Sequence, residues 1–473
     1  MPADLEITED ITHADPMNFL DAQKTAKSMC APAMNESFED YIGRMSPDSF
    51  KWTVIKDSVY EALQLDRELI GYLEERPMPT DEWKCYALNE RINDRGVAVD
   101  DKFVESAIAC DRLYRKEYLE LFKKITDCDY LCPGEFQGWL AEHGVETESL
   151  SQSVLNRYRP SANPDVQVAI SLWRYLTMTS TQKYYAIDKA YCNDGRLHGL
   201  YSFCGGRNGR FGNSIFQTDN LPVSRLSALE EMRALIRSGK HGNLDTHCSS
   251  VADVMCELLA TSFVPASGCS LYVLEYTGLE SSVLHWLGKL GVCDGYVEGI
   301  DESVSDFMLA IGLALAACFE EERPSSTFGI RFIPTSCDLH VQLPSGRSLI
   351  YYNVVPEGHE ADGFPVFLYD GIGEKGRWRC IRETVAKLIC DVVQGIARDV
   401  LVFAMNSLEE NGFHIVMHHP GTLLIESSEK NLMGQICDVF RCTPPWADKL
   451  NLSIRGYRCE KYYERSMDTT RKA

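Results

Sequence analysis

One stretch limits what this chain can fold into more than any other: NGFHIVMHHPGTLLIE, residues 411–426. Phe413, Ile415 and Met417 alternate with His414, Val416 and His418, and a period of two is that of a strand. Leu423 to Ile425 read as its return partner. Pro420-Gly421 between them predicts a turn, because proline presets φ at the second turn position and glycine accepts the positive φ after it. The expectation is a β-hairpin, preceded by a helix over VVQGIARDVLVFAMNSLEE.

Length and composition set the frame around it. The 473 residues suffice for two or three domains, and 45% hydrophobic with 25% charged is ordinary for a soluble globular protein. A net charge of −22 works against non-specific nucleic-acid binding unless the basic residues cluster on one face. The 18 cysteines include no C-x-x-C pair, the nearest spacings being Cys128 with Cys132 and Cys437 with Cys442. With no signal peptide at the start, reduced thiols and a cytoplasmic location are expected. The apolar piece around Met308 to Phe319 is too short to span a bilayer, so no membrane partner is expected. No G-x-S-x-G, Walker loop or HExxH offers a further chemistry. His414 and His418 share a strand face with His419 adjacent, which permits either a divalent-metal site or an exposed polar rim.

The hairpin resembles the motif C hairpin of family A DNA polymerases, above all the phage type, which reads roughly VMHVHDEVVIE. Val416, Met417, His418, Ile425 and Glu426 match. The tip does not: Gly421 stands where the family has its metal-binding Asp and Thr422 where it has Glu. Glu426, five residues beyond Gly421, faces the opposite side of the sheet and is a poor substitute. Upstream, RINDRGVAVD at 91–100 matches a family segment almost residue for residue; Asn93 to Gly96 read as a turn, and Asp100-Asp101 as the cap of a long amphipathic helix. That helix and those to about 190 resemble the thumb. FCGGRNGRFGNSIFQTDNLP, 203–222, resembles a loop that in the family contacts primer and template backbone. Its glycines let the backbone approach phosphates while Arg207 and Arg210 bind them, or the two arginines pair with acidic side chains instead. Lys183, Gln217 and Asn220 also fit family positions near DNA. Gln394 and Arg398, four apart on one helix face, fit the family's template-contacting Q-x-x-x-R-D helix, or a salt-bridged face.

Motif A falls at LYVLEYTGLESSVLHWL, 271–287. Glu275 replaces the family's metal-binding Asp and Glu280 is kept. The extra methylene displaces the carboxylate in a site whose two ions sit about 3.5–4 Å apart, which damages in-line transfer. About fifty residues then separate Trp286 from LHVQLPSGRSLIYY, without the R-x3-K-x6-Y of the fingers. SVYEALQLDRELIGYLEE, 58–75, resembles the helix that closes the proofreading exonuclease, with Gln64 in place of its Asp.

The resemblance implies an α+β fold, a helical thumb and a palm with an antiparallel sheet, the fingers reduced and the exonuclease domain largely missing. The implied divisions are 1–80 (arm and exonuclease remnant), 81–200 (thumb), 201–287 (first palm part), 288–330 (shortened fingers) and 331–473 (second palm part). The expected role is non-catalytic, DNA-binding or scaffolding, in phage DNA replication or metabolism. The partners would be primer-template or duplex DNA, or a phage or host replication protein. No cofactor is expected, and Mg²⁺ only if some polymerase activity survives. The alternatives are a residual polymerase that needs a partner and an interaction module that no longer binds DNA.

Overall fold

The computed structural model describes residues 79–462 apart from 129–130, 159–162, 216, 219–220, 222–227, 241–243, 245–249, 291–299, 361–362 and 374–377. The 58–75 helix, and with it nearly all of the expected arm and exonuclease remnant, lies outside the described residues, as does Asn220.

Helix α1, Thr80–Arg95, corrects one local expectation. Asn93 to Arg95 are still helical, and the reversal is made by Gly96 at φ +60, whose N–H bonds to Ile92 O at 2.9 Å. A glycine just past a helix end reads like a turn because both need the left-handed backbone. Helix α2, Asp101–Thr126, starts as expected: Asp100 accepts from the Phe103 N–H at 3.1 Å, and Asp101 lies at the positive end of the helix. Phe103, Val104, Ala107, Ile108 and Tyr114 recur at spacings of three and four, giving a buried face that packs on α3, Pro164–Thr177. Asp100 also binds Arg233 at 2.6 Å and Arg237 at 3.0 Å. Burial pushes its carboxyl up, but the bonds from the two arginines outweigh that and hold it below the ordinary range.

Along the chain follow strand β1, Ser270–Tyr276, and helices α4, Leu279–Leu290, and α5, Ile300–Glu321. Six strands come next: β2 Ser325–Thr327, β3 Ile330–Pro334, β4 Leu339–Gln342, β5 Ser348–His359, β6 Pro365–Ile372 and β7 Trp378–Thr384. Helix α6, Val385–Glu410, leads into the hairpin strands β8, Ile415–His419, and β9, Thr422–Ser427; helix α7, Met433–Phe440, and strand β10, Ile454–Cys459, close the described chain. Helices with antiparallel sheets make the fold α+β, as expected. Among the described residues no helix is long and apolar enough to cross a membrane.

Packing divides the described chain into two compact units: 88–205 with 210–282 and 397–462, and 79–87 with 206–209 and 283–396. The stretch 331–473 is therefore shared between them. In the first, the hairpin unit, the sheet order is β8-β9-β1-β10. Leu271 to Leu274, Ile415 to Met417 and Leu423 to Ile425 are all at most 2% exposed, and α7 packs on β1 and β10. These strands are continuous apolar runs because both sheet faces are covered. In the second, the meander unit, each of β2 to β7 pairs with its chain neighbour. Helix α5, which fills most of the 288–330 stretch, packs on β2, β3 and β6. Gly312 permits the close approach: a Cβ there would lie 2.5 Å from Phe364 Cδ1.

Candidate functional site

The hairpin forms at the expected residues. His419 pairs with Thr422, and Pro420-Gly421 bridge them with Gly421 at φ +80, the value of the third residue of a type II turn. Strand β9 pairs with β1 so that Thr422 lies opposite Glu275, and β10 brings Arg455 to the other side of the same residue. The Gly421 carbonyl accepts from the Tyr276 N–H at 2.7 Å. Glu275 and Gly421, the two positions that the resemblance assigns to metal binding, are thus close together, and Gly421 has no side chain. Glu275 lies 3.8 Å from Arg455 Nη1, and both side chains are partly exposed. Glu280, in the first turn of α4, is ion-paired to Arg210. Among the described residues no three His, Cys, Asp or Glu side chains converge to hold a metal ion.

Of the three histidines one meets the polar-rim expectation and two do not. His414 is exposed, but His418 and His419 are 2% and 8% exposed, so they belong to the interior rather than to a polar rim. Both faces of β8 are covered, and periodicity alone does not reveal this. The His418 ring stacks on Tyr201 with centroids 3.8 Å apart and meets the Phe211 edge at 4.7 Å. The Tyr201 hydroxyl accepts from the His418 N–H and donates to its carbonyl, each at 2.8 Å. Burial, then the neighbouring His419, pushes His418 down to about 3, so it is a neutral packing group at physiological pH. His419 Nε2 meets the Tyr462 hydroxyl at 3.0 Å. Tyr201, Arg210, Phe211, Glu280, Arg398 and His418 border a water-sized space of about 30 Å³ beside the hairpin tip.

Several of the expected DNA-facing residues are engaged by partners within their own units. Arg398 is 4% exposed, its Nη1 donating to Asp399 at 3.2 Å and its guanidinium 5.8 Å from the Phe211 ring centre. Lys183 Nζ donates to the Gln217 carbonyl at 2.9 Å. In the meander unit, Gln394 accepts from Asn208 at 2.8 Å, and Arg207 is ion-paired to Asp391 at 2.5 Å and Glu383 at 3.2 Å. Arg207 and Arg210 both pair with acidic side chains. Glu426 is likewise structural: it pairs with Arg196 at 3.0 Å and accepts from the Ala266 N–H at 2.8 Å. Sequence reading missed Tyr201, Phe211, Glu383 and Asp391. Phe211 lies within the recognisable loop and Tyr201 just ahead of it, but Asp391 is 184 residues from Arg207 and nothing local links them.

Comparison with known proteins places this geometry. No family profile matches the chain. A DNA polymerase of Bacillus phage SP02 is 26% identical over 490 aligned positions, which cover 88% of this chain and 76% of that protein. Among solved structures, the POL domain of Pol1 from M. smegmatis in complex with DNA primer-template and dNTP is 15% identical. It covers 78% of this chain and 67% of its own, with a TM-score of 0.47. Over most of its length, then, the chain is similar to a phage DNA polymerase, and the hairpin and motif A strands that carry the resemblance are paired side by side.

Proposed function

We propose that this chain is a catalytically degenerate homologue of family A DNA polymerases, with a non-catalytic DNA-binding or scaffolding role in phage DNA replication or metabolism. The observation that carries the reading is the junction at the hairpin tip. Two-metal phosphoryl transfer needs a carboxylate shared between two ions, and Gly421 offers only backbone there. Opposite it, Glu275 is ion-paired to an arginine rather than set beside a second carboxylate. An arginine in that place competes for the charge an ion would need. The Arg210–Glu280 pair engages a second carboxylate in the same way.

Primer extension with Mg²⁺ or Mn²⁺ tests this directly. The expected result is no incorporation above that of Glu275→Ala; incorporation that Glu275→Ala abolishes would overturn it. A second reading, an interaction module that binds a replication protein instead of DNA, is favoured by the engagement of Arg207, Arg210 and Arg398 with carboxylates and by the net charge of −22. Fluorescence anisotropy of labelled primer-template at low salt separates the two: saturable binding supports the DNA-binding form, and its absence supports the protein partner.

A further inference from the structure

A second cavity lies wholly within the meander unit, a groove of about 390 Å³ lined by β7 and α6 residues. That is the lower end of the size of small-molecule sites, which run from roughly 300 Å³ upward. Its wall includes Glu383, 1% exposed. Glu383 Oε2 accepts from Arg207 Nη2 at 3.2 Å, while Oε1 is buried and has no hydrogen-bond partner. Arg207 is already shared, since its Nε and Nη2 donate to Asp391 at 3.0 and 2.5 Å. Its guanidinium lies 4.6 and 4.3 Å from the ring centres of Tyr351 and Tyr369, and the Tyr351 hydroxyl donates to Asp391 at 3.2 Å. Two carboxyl groups therefore face one guanidinium. The other cation at the groove, Lys387, is exposed and places its Nζ on the Arg382 carbonyl at 3.3 Å.

A buried acceptor without a partner is costly, and a buried uncompensated negative charge more so. Such a site has two remedies: a proton on Glu383, or a cation whose N–H groups reach Oε1. We propose that this groove binds a small organic cation, through an ammonium or guanidinium group that donates to Glu383 Oε1. A neutral ligand leaves the carboxylate charge uncompensated, and an anion is repelled by the two carboxyl groups. A metal ion would need a set of ligands that the described residues do not assemble. Burial pushes the Glu383 carboxyl up to about 7, with Arg207 opposing the rise, Asp391 adding to it, and Lys387 and a backbone hydrogen bond from Thr384 opposing it. Binding at neutral pH is thus an exchange: the cation enters, the O–H bond of Glu383 breaks, and the proton leaves to solvent.

Isothermal titration of the full chain with agmatine, which carries both cationic groups, tests this. Buffers of different ionisation heat count the protons released. One site is expected, with close to one proton released per ligand at pH 5.5 and almost none at pH 8.5. Affinity should rise by up to about tenfold per pH unit below 7 and level off above it. Glu383→Gln should abolish binding, with a circular dichroism melt checking its fold. Lys387→Met, on the exposed rim, should tighten binding and move the pH midpoint upward. N-acetyl-argininamide as a second probe separates the sources of the cation: binding of agmatine alone indicates a free amine, and binding of both extends the site to a partner's side chain. No saturable heat at pH 8, equal affinity at pH 5.5 and 8, or unchanged affinity in Glu383→Gln would each overturn the proposal.

Discussion

At the scale of single residues, Gly421 explains more than a missing ligand. Its φ of +80 belongs to the turn itself, so an aspartate put back there meets a left-handed backbone as well as Arg455 near Glu275. Gly421→Asp is expected to lose roughly 1 kcal/mol in urea unfolding and to show no primer extension. Glu383 gives a second prediction, from pH. Its folded value of about 7 lies above the ordinary carboxyl's 4.5, so between those values the folded state holds a proton that the unfolded state has released. Stability from this group is fully present below 4.5, falls as pH rises and is lost above 7, by roughly 1.4 kcal/mol per pH unit across the window. Urea melts from pH 4 to 8 should show that slope as the difference between the wild type and Glu383→Gln. His418 runs the other way: its contribution is present above 6.5 and lost as pH falls through about 3. The place of Gly421 at the hairpin tip was legible because the alternation and the Pro-Gly pair fixed it. The burial of His418 was not, because it depends on Tyr201 and Phe211, more than two hundred positions away.

At the scale of elements, the hairpin and α2 were readable because their signals are local. Period-two alternation with Pro-Gly needs no tertiary information, and neither does an aspartate ahead of an amphipathic run. What local signals miss is the second use of such residues. Asp100 caps α2 and also neutralises Arg233, which is 5% exposed. Asp100→Ala should therefore cost more than the roughly 1 kcal/mol of a lost cap, on the order of 3 kcal/mol, since it leaves a buried guanidinium without its carboxylate. Asp100→Asn, which keeps a capping oxygen, should fall between, and urea denaturation midpoints decide the order. The meander was less readable. Strand β5 is exposed over much of its second half, so burial did not write an alternation into YYNVVPEGH. Helix α5 shows the same limit from another side, since its packing on the meander turns on Gly312 lying against Phe364, which a sequence records only as an alanine- and leucine-rich run interrupted by a glycine.

At the scale of the whole molecule, charge limits how the chain could meet DNA under the proposed function. A net charge of −22 repels a polyanion at long range, so binding must come from a few local cations and must be sensitive to salt. Arg207 and Arg210 are the candidates in the glycine-rich loop, and both begin from ion pairs with carboxylates: Asp391 and Glu383 for one, Glu280 for the other. Phosphate has to displace those partners, which lowers affinity without removing the counterion release that each bound phosphate would produce. Anisotropy titrations of primer-template between 50 and 200 mM salt should then give a shallow log–log slope. The double substitution Arg207→Ala with Arg210→Ala should make it shallower by about two, one for each phosphate no longer neutralised. Removing the competitor instead, with Glu280→Gln, frees Arg210 and should tighten binding by a few-fold while leaving the slope nearly unchanged. If the double substitution leaves both affinity and slope as they were, these arginines serve the fold alone, and a protein partner becomes the better account of the surface.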